Sequence, residues 1–201
     1  MPRYMASLQM SLPTMRTLCG LAFIAVCLLS GWPALARADV AALQAALGEW
    51  RVTAVKIDDS RSGRLLYERD DPQLVGRRLH IGPDAIRSDL PERRDCSAPT
   101  LVPGQLSLDE LLRDTMPTVA DRPAHSYQLP PLAGTHYAMA WLRCGSGRFG
   151  PALPPRDAAS DGIATKAPPG ARTWLLLRED GRQALLRWYD ATLLVLTRAD
   201  H

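Results

Sequence analysis

The tightest constraint on this chain lies near its C-terminus, where two strand-like runs are joined by a loop of two residues. In 173–188, "TWLLLREDGRQALLRW", apolar side chains flank Asp180-Gly181. An Asp-Gly loop favours the primed turn whose twist matches the strands on either side. That turn sets a register: Leu177 opposite Ala184, Leu175 opposite Leu186 and Thr173 opposite Trp188 on one apolar face. The other face brings Trp174 beside Arg187 and Leu176 beside Leu185. "ATLLVLTRAD", 191–200, follows Tyr189-Asp190 as a third strand of a meander.

The same period of two recurs upstream. In 48–57, "GEWRVTAVKI", Trp50, Val52 and Ala54 share one face, and Arg51, Thr53, Val55 and Ile57 the other. After the turn "DDSRSG", residues 64–68, "RLLYE", read as a returning strand. "GRRLHI" and "AIRSD" flank Gly82-Pro83-Asp84 and predict a further hairpin. In "THYAMAWLRC", 135–144, Tyr137, Met139, Trp141 and Arg143 alternate with His136, Ala138, Ala140 and Leu142.

Residues 90–134 break the pattern with Cys96 and several prolines, and they hold one short helix. Ser107 caps it, Glu110 completes an S-x-x-E capping box, and Leu106 and Leu111 occupy the staple positions. Its stripe of Leu108, Leu111 and Leu112 requires cover, so the helix is expected against the sheet, held nearby through Cys96. Residues 150–171, rich in Pro, Ala, Gly and Asp, read as a mobile loop. The whole predicts a mainly β fold: one antiparallel up-and-down β-barrel of about eight strands with a short helical insertion over about 90–134. A barrel is preferred to a sandwich because closure removes the edges such strands would otherwise expose.

Residues 1–38 read as a secretory signal peptide. Arg3 and Arg16 precede the apolar run Leu18 to Leu29, and small residues lead to two overlapping A-x-A sites ending at Ala36 and Ala38. The alternative, a retained anchor, is opposed by the shortness of that run and by Gly31 and Pro33 after it. Export predicts a periplasmic or secreted domain over 39–201, with no membrane span of its own. It also changes the charge. Three of the 24 basic residues (Arg3, Arg16, Arg37) lie in 1–38, which contains no acid, so 21 basic residues remain against 21 acidic ones. The formal charge of +3 belongs to the signal, and no net field points to nucleic acid or an anionic membrane. Export also removes Cys19 and Cys27. Cys96 and Cys144 are then most simply a disulfide; the rival, a redox or metal pair, lacks both a C-x-x-C and a nearby histidine.

Two short motifs add a family likeness. Gly48-Glu49-Trp50 forms G-x-W in the first strand, and "LTRAD" places Arg198 in the last. In these features the chain resembles the lipocalin-like, or calycin, barrels. The resemblance implies that Trp50 packs at the closed end of the barrel with Arg198 crossing over it, a cation–π plug. It also implies that a ligand enters at the open end, among the loops. The family's T-D-Y-like loop is absent, and the insertion stands in its place.

Motifs for chemistry fare poorly. "CGSGRFG", 144–150, spells G-x-G-x-x-G, but "PALPPRD" follows at once, and prolines there prevent the helix that a dinucleotide site requires. His80, His125, His136 and His201 never stand at helical ligand spacing, and no serine lies in a G-x-S-x-G elbow. The acidic pairs Asp58-Asp59 and Asp70-Asp71 read as turn residues. What remains is surface for binding: Tyr137, Met139, Trp141 and Arg143 form either core or a pocket wall, with Arg148 and Phe149 at the base of the following loop. The expectation is a monomeric, non-enzymatic binding or inhibitory protein, with no cofactor or metal. It would hold a small apolar ligand or an envelope protein partner. Alternatives are an envelope hydrolase with a dispersed active site around His136 or His125, and an envelope scaffold or assembly factor.

Overall fold

The computed structural model describes residues 44–61, 63–92, 95–116, 122–129, 137–153 and 167–199; the proposed signal segment, His136 and most of the 150–171 loop lie outside them. Eight strands are formed: β1 (Gly48–Ile57), β2 (Arg78–Ile81), β3 (Ala85–Ser88), β4 (Cys96–Gly104), β5 (Tyr137–Gly147), β6 (Thr173–Arg178), β7 (Gln183–Arg187) and β8 (Thr192–Arg198). Each pairs antiparallel with the next and β8 pairs with β1, closing an up-and-down barrel. The Asp180-Gly181 turn delivers its expected register, with Leu175 opposite Leu186 and Leu177 opposite Ala184. None of the described helices is long and apolar enough to cross a membrane.

Three local expectations are corrected. Residues 64–68 are not a strand. They belong to the long β1–β2 connection, where Tyr67 is buried in the core while Leu66 stays exposed. Two carboxylates supply the bonds a partner strand would have made: Asp190 accepts from the Leu66 N–H, and Asp70 accepts from the Val55 N–H at 2.9 Å. Second, 96–104 is a wall strand, so the insertion begins only after Gly104. Prolines suggested otherwise, but β4 pairs with β3 only at Cys96 and Ser97 and with β5 along its length. Pro99 and Pro103 therefore fall where one edge of the strand carries no ladder, the setting in which a missing N–H costs least. Third, a bulge between Val52 and Ala54 changes the phase of β1. Trp50, Val52 and Val55 become fully buried, whereas Ala54 and Lys56 are only half-buried.

The interior is filled rather than hollow. Trp50, Leu79, Ile81, Leu186, Trp188, Leu194 and Leu196 form one core with no exposed surface, which leaves no water-sized gap against them. One end is closed by Trp50, whose Nε1 donates to Ala46 O at 2.9 Å beneath the Arg198 guanidinium, 4.6 Å from the ring centre. Gly48 is needed at this point, because a Cβ there would strike the guanidinium and the backbone φ is +125°. The opposite end, where a ligand was expected to enter, is closed by Trp188 against Phe149, 5.5 Å between ring centres, with Leu74 and Leu90 in the same core. Tyr67 donates to the Glu92 carboxylate there, and Trp188 Nε1 donates to its other oxygen at 3.3 Å.

Cys96 and Cys144 form the expected disulfide, with Cα atoms 5.3 Å apart. Its partner element is not the expected one: it joins β4 to β5 instead of tethering the insertion helix. Gly147, φ +73°, ends β5 against Asp95, whose carbonyl a Cβ would strike. The glycines of "CGSGRFG" thus serve a strand end meeting its neighbour.

Two buried tyrosines set an alkaline limit. Burial, with Glu92 beside Tyr67 and Asp58 near Tyr127, raises both phenols well above the usual value of 10. Between pH 10 and their folded pKa values the native state retains protons that the unfolded chain releases, so their contribution to stability is complete below pH 10 and lost above it. Tyr67→Phe and Tyr127→Phe are each expected to gain on the wild type by up to about 1.4 kcal/mol per pH unit above 10. Urea unfolding at pH 9 and pH 11 measures this, and a gap independent of pH would contradict it.

Candidate functional site

The insertion decides where a site can lie. Its helix α1 (Leu108–Thr115) carries the full capping box, the Ser107 hydroxyl and Glu110 N–H facing each other while Glu110 reaches back to the Ser107 N–H at 2.9 Å. The apolar stripe packs on the outside of the barrel, where Leu108, Leu111, Leu112 and Met116 meet Met139, Trp141, Trp174, Leu176 and Leu193. A second helical turn, α2 (Pro123–Ser126), is tied to the first by Asp109 Oδ1, which accepts from the Ala124 N–H at 2.9 Å. Strands β5 to β8 are thus buried on both faces, which explains their near-continuous apolar runs.

Arg187 fastens this arrangement. Buried on the outer face of β7, it donates to the carbonyls of Thr115 at 2.9 Å, Arg172 at 3.2 Å and Ala152 at 3.2 Å. Trp174 Nε1 adds a bond to the Thr115 hydroxyl at 2.8 Å. Desolvation lowers the Arg187 pKa to about 10, with Tyr127 opposing the shift, so the guanidinium stays charged at neutral pH. It holds the end of α1, the chain after β5 and the start of β6 against one point of the wall.

Beside the residues that follow α2, a cleft of about 220 Å³ opens on the outer wall. Ala54 of β1, Val195 of β8 and Leu185 of β7 lie side by side in register, Ala54 opposite Val195 and Val195 opposite Leu185, and line its apolar floor. Leu129, just after α2, and Tyr137 of β5 supply further walls. Lys56, Gln128, Arg178 and Gln183 bring polar groups to it. The described lining includes no carboxylate, histidine, cysteine or hydroxyl other than that of Tyr137.

These polar groups differ in how far they are engaged. Gln128 is engaged at both ends of its amide: the nitrogen donates to Asp59 at 2.8 Å, and the oxygen accepts from Arg69 at 3.0 Å. Arg178 donates to Gln183 Oε1 at 2.6 Å and lies 3.7 Å from Asp180, while its buried Nε has no bond. Burial raises the Tyr137 phenol above its usual value, with Arg178 opposing and Asp180 adding to that shift. The Lys56 backbone pairs with Leu193 of β8, and its ammonium takes part in none of the ion pairs among the described residues.

Of the described residues singled out in the sequence as candidate site residues, Tyr137 alone lines the cleft. Met139 and Trp141 lie buried beneath α1. Arg143 and Arg148 are exposed, and Phe149 is inside the barrel against Trp188, so these three do not join the others. Lys56, Arg178, Leu185 and Val195 were not anticipated. A partial signal existed for Lys56, a lone lysine in an alternating strand, but its direction depends on the bulge at Thr53. Of the histidines, His80 is bonded to Glu49 at 2.7 Å on the outer surface and His125 is exposed; His136 and His201 lie outside the described residues. No group of three potential metal ligands occurs among the described residues. In the comparisons with known proteins, no family model, curated protein or solved structure matches the chain significantly.

Proposed function

We propose that this chain is a non-enzymatic binding protein of the cell envelope, exported by residues 1–38, on a lipocalin-like barrel that takes its small apolar ligand on the outside. The observation that carries this reading is the cleft itself. Its walls are apolar, a few polar groups converge on it, and a packed interior leaves the usual calyx position filled. At about 220 Å³ the cleft lies below the usual range of pockets for drug-sized ligands, which suits a small one. The insertion then has a purpose beyond burying an apolar face: α2 supplies one wall of the site, and Arg187 holds the insertion in place.

The test uses 1-hexanol, an uncharged probe of matching size, titrated into isotopically labelled protein. Amide signals of Ala54, Leu185, Val195 and Tyr137 are expected to shift together and saturate. Ala54→Phe, which fills the floor, is expected to abolish the shifts while leaving the unfolding temperature within about 2 °C, as for a substitution at a half-buried site. Shifts spread over the whole barrel, or none at all, would reject the reading.

A further inference from the structure

The cleft is electrically one-sided. Its described lining contains two cations, Lys56 and Arg178, and no carboxylate. Arg178 is partly compensated, with Gln183 on one nitrogen and Asp180 at 3.7 Å from another. Lys56 has no such compensation. It lies on the same strand as Ala54, two residues along, and lines the cleft beside the apolar floor. Gln128, on the α2 side, is neutral, and the Asp59 carboxylate to which it donates is already paired with Arg69. An apolar floor beside an uncompensated cation matches a ligand with an apolar tail and an anionic head.

Resting on the proposed role of the cleft as a ligand site, we infer that its ligand class is a short amphiphilic anion, a carboxylate on an apolar chain, with the head bound by Lys56 and the tail on Ala54, Leu185 and Val195. The attraction adds to tail burial only for the charged head, since a neutral alcohol of the same length offers no charge for the ammonium to pair with. It is strongest at low ionic strength, because the site is open to solvent and screened by salt.

Hexanoate and 1-hexanol, titrated side by side and followed through the same amide signals, separate this inference from the reading beneath it. Hexanoate is expected to bind about tenfold more tightly at low salt. Lys56→Gln should remove that advantage while leaving 1-hexanol unchanged, and Lys56→Arg should restore most of it. Equal affinity for the two probes overturns the anionic head and leaves the apolar cleft standing. A hexanoate preference that survives Lys56→Gln and disappears in Arg178→Gln overturns the assignment to Lys56. Failure of both probes to bind overturns the inference together with the function proposed for the cleft.

Discussion

Trp50→Ala is expected to destabilise the barrel by about 3–5 kcal/mol, the range for deleting a fully buried large aromatic side chain. Trp50 has no exposed surface, and its ring lies between the core and Ala45, Ala46 and Leu47, whose carbonyls bond the Trp50 indole and the Arg198 guanidinium. Its loss opens a cavity that the surrounding strands cannot collapse into, because the strand is paired on both edges at Trp50 itself, with Leu79 of β2 and with Arg198 of β8. It also leaves Ala46 O without its indole donor and Arg198 without the ring it covers. Arg198→Ala is the informative control. The guanidinium also donates to Leu47 O at 2.8 Å and to Gly181 O at 3.3 Å, so its removal loosens the N-terminal segment and the β6–β7 turn as well as the plug. A smaller cost is expected there, since the ring still fills the core. Urea unfolding of the two variants and of the pair gives the coupling directly. A Trp50→Ala cost below about 1 kcal/mol, as at a surface position, would remove the plug from this fold.

Sequence and structure agree most closely where a local device decides the outcome. The Asp180-Gly181 turn imposed its register because a two-residue loop leaves few alternatives. Ser107 and Glu110 started α1 where they stand because their bonds are made within a single turn. The contact of Arg198 with Trp50 came from the family likeness of G-x-W and the last-strand arginine, and the pairing of Trp50 with Arg198 across β1 and β8 is what brings the two together. The failures share a different cause. The bulge at Thr53 satisfies no local preference; it lets Trp50 and Val55 both point inward, and only the completed barrel requires that. Residues 64–68 alternate well enough for a strand, but the β1 edge beyond its short pairing with β2 is met by Asp70, whose carboxylate and backbone both bond Val55, and the segment itself bonds Asp190 instead. β4 was hidden by Pro99 and Pro103, whose tolerance depends on how short β3 is. The cleft was the least legible feature of all. Its described lining comes from β1, the residues just after α2, β5, β6, β7 and β8, elements that only the completed barrel and its insertion bring together.

The disulfide offers an effect comparable to that of the plug, through the other state of the chain. Replacing both cysteines, Cys96→Ser with Cys144→Ser, is expected to destabilise by about 4 kcal/mol, from the chain-entropy model for a loop of this size. The two residues are 48 apart in sequence, yet the strands that carry them are already paired from Cys96–Gly147 to Gly104–Met139. The native barrel therefore does not depend on the bond for its register, and the variant should keep its secondary structure. The cost arises in the unfolded chain, which without the bond is free to expand. That origin has its own signature: a freer unfolded state exposes more surface, so the double variant should show a steeper dependence on urea as well as a lower midpoint. Reducing agent added to the wild type should reproduce both changes and leave the double variant unaffected. A lower midpoint with an unchanged slope would instead put the effect in the folded barrel, at the β4–β5 seam beside Gly147. Free thiols in the oxidised protein, detected by mass mapping without reduction, would remove the bond from the account altogether.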